Sequence, residues 1–88
     1  MLFENNRRSE TEVIFDILQS AQQALKKTRL MYESKMPYNH FQKYLEILLE
    51  KELLGKKESN PGGHLYFTTD KGRELLDSMN IVFDLLKE

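Results

Sequence analysis

Between Lys26 and Leu54 the chain reads KKTRLMYESKMPYNHFQKYLEILLEKELL, two helical patterns held apart by a break at Ser34–Pro37. The first, Lys26 to about Glu33, is short and opens on Lys26, Lys27, Thr28 and Arg29. Leu30 and Met31 are its inward candidates, with Tyr32 partly so. The second, about Tyr38 to Lys51, opens on polar residues and closes on leucines. Pro37 fixes its own φ and suits a first helical position, where a missing N–H costs nothing. Phe41, Tyr44, Leu45, Leu48 and Leu49 recur at three- and four-residue spacing and mark the inner stripe of the second helix. Asn39, His40, Gln42, Lys43 and Glu46 point the other way. A short basic helix, a tight turn and a helix with a polar outer face have the layout of a helix-turn-helix, whose second helix lies in a DNA major groove.

The flanks read as support. Residues 1–8 form a loose arm in which Arg7 and Arg8 are either solvated or within reach of a phosphate. From Ser9 to about Leu25 the residues Val13, Ile14, Ile17, Leu18, Ala21, Ala24 and Leu25 form one apolar helical face. Ser9 and Glu12 are spaced as a capping box. Phe15 falls off that stripe and needs a second surface, such as a partner subunit's. Leu53 and Leu54 open a strand, residues 59–64 (SNPGGH) are a cluster of turn residues, and Leu65–Thr68 return as a second strand. This hairpin is either a two-stranded wing or a plain connector. Thr69 is a good N-cap for a last helix. Along it Leu75, Met79, Val82 and Leu86 are spaced as an a/d seam, and Leu76, Ile81, Phe83 and Leu85 add a second apolar surface. So apolar a terminal helix has more to bury than one small chain offers, which points to packing partly on its own core and partly against a second copy, the alternative being full burial within one subunit. The expected fold is mainly α (α+β). It is a single domain over 1–88, with a winged core at 9–69 and a dimerisation helix at 70–88.

Net charge alone argues against nucleic acid, because the 88 residues sum to −1 and many DNA-binding domains are strongly basic. Its distribution matters more. Residues 26–44 carry +4 and residues 56–73 carry +2, whereas 1–25, 45–55 and 74–88 carry −2, −2 and −3. The positive blocks coincide with the helix-turn-helix and with the hairpin plus the start of the last helix. Without cysteine there are no disulfides and no thiolate ligands, which fits a reducing cytoplasm. The start, MLFENNRRSE, has no apolar run of signal-peptide length, and no stretch approaches a membrane span. His40 and His64 fall in different elements, and Gly62-Gly63 lies in no phosphate-loop pattern. Catalysis, metal, cofactor and small-molecule ligand are therefore not expected.

On this pattern Lys26, Lys27, Thr28, Arg29 and Lys35 are candidates for the DNA backbone. Gln42 and Lys43 are candidates for the major groove, with Tyr38, Asn39 and His40 near phosphates at its edge. Lys56, Lys57 and His64 are candidate wing contacts. Leu75, Leu76, Met79, Val82, Phe83 and Leu86 are the candidate dimer interface. A competing reading makes the same fold a protein-interaction module. That reading expects exposed apolar residues on the outer face of the second helix, where Asn39, His40, Gln42 and Lys43 stand instead.

Three short motifs add a resemblance: Lys27-Thr28-Arg29-x-Met31-Tyr32, Tyr38 with Lys43-Tyr44-Leu45, and Thr69-x-Lys71-Gly72. Over residues 9–86 the chain resembles a family of small archaeal winged helix-turn-helix proteins. These are chromatin-like DNA-binding proteins and predicted transcriptional regulators that dimerise through a C-terminal antiparallel coiled coil. The resemblance implies double-stranded DNA as partner, a cytoplasmic, nucleoid-associated location and a homodimer arm from Thr69 onward. It also implies Lys27, Thr28 and Arg29 opening the second helix, with Asn39, His40, Gln42 and Lys43 on the recognition helix. Two positions depart from it. Pro37 stands where the family has a small hydroxyl cap, and Glu52 where it has a helix-ending glycine, so a left-handed C-cap there becomes costly.

Overall fold

The computed structural model describes residues 8–87; Glu88 and residues 1–7, with the candidate Arg7 among them, lie outside that range. Helix α1 (Glu10–Ser20) starts at Ser9. The Ser9 hydroxyl accepts from the Glu12 N–H at 3.1 Å, and the Glu12 carboxylate accepts from the Ser9 N–H at 3.0 Å, completing the capping box. The helix ends at Ser20 rather than near Leu25. Its last turn meets Thr68, whose hydroxyl donates to the Leu18 carbonyl (2.7 Å) and whose N–H donates to that of Ala21 (3.0 Å). Leu25 and Lys26 are then drawn into a short strand, β1 (Leu25–Lys26), that the helical spacing concealed.

Helices α2 (Lys27–Ser34) and α3 (Tyr38–Glu50) follow, then strands β2 (Leu54–Glu58) and β3 (His64–Thr68), then α4 (Asp70–Leu86). The expected two-stranded hairpin is present, and β1 extends it to a three-stranded antiparallel sheet in the order β1-β3-β2. Leu25 and Lys56 both pair with Tyr66, and Lys26 and Lys57 both pair with Leu65. The core gathers Ile17 and Leu18 from α1, Leu30 from α2, Phe41, Leu45 and Leu48 from α3, Leu54 from β2 and Leu76 from α4. Burying each such side chain contributes about 1.5–3 kcal/mol. Tyr32 is not among them and is 78% exposed. In α2 the inward positions are Leu30 and Ser34, one turn apart, which leaves Tyr32 on the far side.

Both helices of the helix-turn-helix end with a left-handed residue that is not glycine. After α2, Lys35 has φ 57°, its N–H bonds the Tyr32 carbonyl, and Met36 N–H reaches back to Met31. After α3, Glu52 has φ 61°, its N–H bonds the Leu49 carbonyl, and Leu53 N–H reaches back to Leu48. These are the paired bonds of a Schellman ending, made at positions that favour glycine. Arg8 supports the first ending. Its guanidinium donates to the carbonyls of Ser34 (2.8 Å) and Lys35 (3.0 Å) and pairs with Asp16. The second is held by α4. Thr69 donates its hydroxyl to the Glu52 carbonyl (2.7 Å) and its N–H to that of Leu53 (3.1 Å), and Lys71 Nζ reaches the Lys51 carbonyl (2.9 Å). Because a side chain in the left-handed region costs about 1 kcal/mol, Glu52→Gly is expected to stabilise the fold by roughly 0.5–1 kcal/mol. In thermal unfolding this raises the midpoint by a few degrees; an unchanged or lower midpoint would show that the backbone carries no strain there.

Helix α4 is capped by Thr69, whose hydroxyl accepts from the Gly72 N–H at 3.0 Å. It packs on α1 and β3. Leu76 and Met79, expected on a dimer face, are 2% and 8% exposed and belong to the chain's own interior. Leu75 is half-buried. The same stripe continues past Met79 to Val82 and Leu86, which are 50% and 74% exposed, with Ile81 and Leu85 exposed beside them. Phe83 meets Phe15 edge-on at 5.1 Å, so the second surface that Phe15 required is supplied by its own chain. The apolar surface of α4 is thus buried or half-buried at Leu75, Leu76, Met79 and Phe83 and open at Ile81, Val82, Leu85 and Leu86.

Candidate nucleic-acid interface

Two interactions bring the start of α2, the start of α3 and the hairpin tip together. Lys26, at the end of β1, donates its ammonium to the Gly62 carbonyl in the tip at 2.9 Å. Lys27 places its ammonium over the Tyr38 ring, 5.6 Å from the centroid, and so links α2 to the first residue of α3. Lys26 and Gly62, far apart in sequence, are in this way made neighbours.

The helix starts differ in a way that follows this surface. α1 and α4 are capped by the side chains of Ser9 and Thr69. α2 and α3, whose N-caps are Lys26 and Pro37, have no side-chain cap. Pro37 stands just before the first helical residue, in extended backbone (φ −66°, ψ 153°), and not within the helix. The N–H groups of these two first turns therefore lack a side-chain oxygen from their N-cap residue, and Lys26 and Lys27 stand at the start of α2. Free helix N–H groups beside positive charge are suited to an anion such as phosphate.

Among the remaining candidates, Thr28 and Arg29 lie on α2, and Arg29 Nε donates to the Glu33 carboxylate at 2.8 Å. Lys35 is exposed at the turn. Tyr38, Asn39, His40 and Lys43 are exposed along α3. Gln42 is half-buried, with its Nε2 committed to the Glu46 carboxylate at 3.1 Å. Lys56 and Lys57 are exposed on β2 and His64 on β3, with His64 opposite Glu58. The Lys57 ammonium rests over the Phe67 ring, which in turn lies across Gly55, where any Cβ would overlap the ring. Two elements of the surface were not legible in the sequence. One is the Lys26–Gly62 hydrogen bond, which depends on a strand two residues long. The other is Arg8, which was a candidate for phosphate and instead braces the end of α2.

Residues 7–87 match a family model described as winged helix-turn-helix. The chain belongs to the winged helix-turn-helix family. As a winged helix it is 32% identical over 81 residues to the Methanocaldococcus jannaschii protein MJ0290, covering 91% of this chain and 36% of that one. It is 28% identical over 81 residues to MJ0287 of the same organism, covering 91% and 78%. The winged helix thus spans about a third of the first relative and over three quarters of the second. Among solved structures it is similar to Sso10a-2, a DNA-binding protein from Sulfolobus solfataricus. That likeness has a TM-score of 0.70 and 27% identity, over 92% of this chain and 99% of that one. A winged-helix DNA-binding protein from STIV shares the fold, with a TM-score of 0.67 at 20% identity over 83% and 85% of the two chains. The resemblance drawn from the three motifs, to winged-helix proteins of archaea, agrees with these relatives.

Proposed function

We propose that this winged helix binds double-stranded DNA as a homodimer and acts as a transcriptional regulator or a nucleoid-associated protein. The observation that carries the reading is the meeting of the starts of α2 and α3 with the hairpin tip, made where Lys26 holds the tip and Lys27 rests on Tyr38. Its similarity to Sso10a-2, a DNA-binding protein, supports the same partner. In this reading Lys43 enters the major groove, and Asn39 and His40 meet phosphates at its edge. The open N-termini of α2 and α3 hold the backbone with Lys27, Thr28 and Arg29, and Lys56, Lys57 and His64 touch it from the wing. Binding to a labelled random duplex, followed by fluorescence anisotropy at low and moderate salt, tests it. The expected result is an affinity that falls steeply with salt, at a log–log slope of roughly −0.9 for each phosphate engaged. No binding to random or genomic duplex at low salt would overturn it in favour of a protein partner.

The dimer rests on the open end of α4. Ile81, Val82, Leu85 and Leu86 are exposed apolar residues toward the end of α4 that nothing covers among the described residues. A second copy supplies an identical surface and covers both. Because Thr69 and Lys71 clamp the end of α3 to the start of α4, pairing through α4 also sets the angle between two recognition helices. The mass in solution is expected to be that of a dimer. Val82→Glu with Leu86→Glu, at exposed positions, is expected to give a folded monomer. A monomeric wild-type protein, or a double variant that still dimerises, would overturn the assignment.

A further inference from the structure

The outer face of α3 carries acid as well as base. Asn39, Gln42, Lys43, Glu46 and Glu50 follow at three- and four-residue spacing and share one stripe, with Glu46 near its middle. Asn39, Lys43, Glu46 and Glu50 are exposed. Gln42 donates Nε2 to Glu46 Oε2 at 3.1 Å, while its own Oε1 is turned inward without a partner. The carboxylate thereby fixes the amide with its nitrogen toward the outer face. One of the two N–H groups on that nitrogen is used, and the other remains beside the carboxylate. The pair presents an acceptor next to a donor.

A carboxylate facing a polyanion is repelled by every phosphate, whatever the sequence. It is favoured only where a hydrogen-bond donor lies within reach. In the major groove the donors are the exocyclic amino groups, adenine N6 and cytosine N4; guanine and thymine present carbonyl oxygens at the corresponding places. Adenine also offers N7 as an acceptor for the remaining Gln42 N–H. Lys43, one turn away, keeps the helix attracted to DNA while Glu46 discriminates.

We infer that Glu46, oriented by Gln42, is a specificity-determining residue that selects adenine or cytosine over guanine or thymine at one strand position under α3. The inference rests on the DNA-binding reading above and deepens it. A protein whose net charge is −1 and whose recognition face carries two carboxylates is poorly suited to binding all duplexes equally.

The test selects bound duplexes from a randomised pool with the wild type, Glu46→Ala and Glu50→Ala, and measures each protein's affinity for unselected duplex. The wild type is expected to enrich adenine or cytosine at one position. Glu46→Ala is expected to lose that preference and to bind unselected duplex roughly three- to tenfold more tightly at low salt. Glu50→Ala also removes one negative charge; it is expected to tighten unselected binding and to keep the preference, which separates reading from charge. If Glu46→Ala enriches the same bases as wild type, or if the wild type binds without preference, the inference is overturned and DNA binding stands. If no protein retains any duplex, the DNA-binding reading itself falls, and the inference with it.

Discussion

Gly72→Ala is expected to lower the stability of this protein by about 3 kcal/mol or more, against a total on the order of 5–10 kcal/mol for a chain of this size. Helix propensity alone predicts the opposite. Gly72 is in the first turn of α4, where alanine gains about 1 kcal/mol. Packing decides the sign. A Cβ at Gly72 would run into the Leu53 carbonyl oxygen and come within 2.9 Å of Thr68 Cγ2. That carbonyl cannot retreat, because it accepts the Thr69 N–H and follows the left-handed Glu52. Thermal unfolding is expected to show a midpoint lower by about 12 °C or more. A midpoint within a few degrees of wild type would mean that α3 and α4 separate easily and that the clamp does not hold them.

The largest effect on binding is expected from removing three of the proposed lysine contacts together. Lys27→Ala with Lys43→Ala and Lys56→Ala is expected to weaken duplex binding on the order of a hundredfold at about 0.1 M salt, and to flatten the salt slope by roughly 0.9 for each phosphate no longer engaged. Taken singly, Lys43→Ala is expected to cost more than Arg29→Ala, since Arg29 is partly neutralised by Glu33 at 2.8 Å. Lys43 and Lys56 are exposed and half-buried Lys27 gives up its contact with the Tyr38 ring, so the triple variant is expected to lose no more than about 1 kcal/mol of stability. If duplex binding and its salt slope are unchanged, these lysines do not meet phosphate and the proposed orientation is wrong.

The two predictions bear on one device. The Thr69-x-Lys71-Gly72 motif is where α4 grips the end of α3: Thr69 and Lys71 take the carbonyls of residues 51–53, and Gly72 leaves room for Leu53. In the proposed dimer this would couple the paired surface of α4 to α3 through a junction only a few residues long.

Much of this was legible from spacing. The inner stripe of α3, the Ser9–Glu12 capping box, the Thr69 cap and the turn cluster at 59–64 are local patterns, and each appears where local pattern places it. The helical periods and their breaks were enough to set the order of the helices and the hairpin, because such signals act over a few residues. The cationic residues of the candidate interface could be listed from the sequence, but the contacts of Lys26 with Gly62 and of Lys27 with Tyr38 could not.

Tertiary structure decided the rest, each time through a partner distant in sequence. β1 exists because β3 offers Leu65 and Tyr66 to pair with, and two residues are too few to show a period. α1 stops at Ser20 because Thr68 takes its carbonyls. Arg8 is structural because the end of α2 lies beside it. Leu76 and Met79 are interior and Phe83 lies against Phe15 of α1, while Val82 and Leu86 are open, because α1 and β3 cover only part of the apolar surface of α4. Sequence by itself determined which residues are apolar, helical or charged. Only packing determined which of them are covered, since burial depends on what the rest of the chain brings alongside.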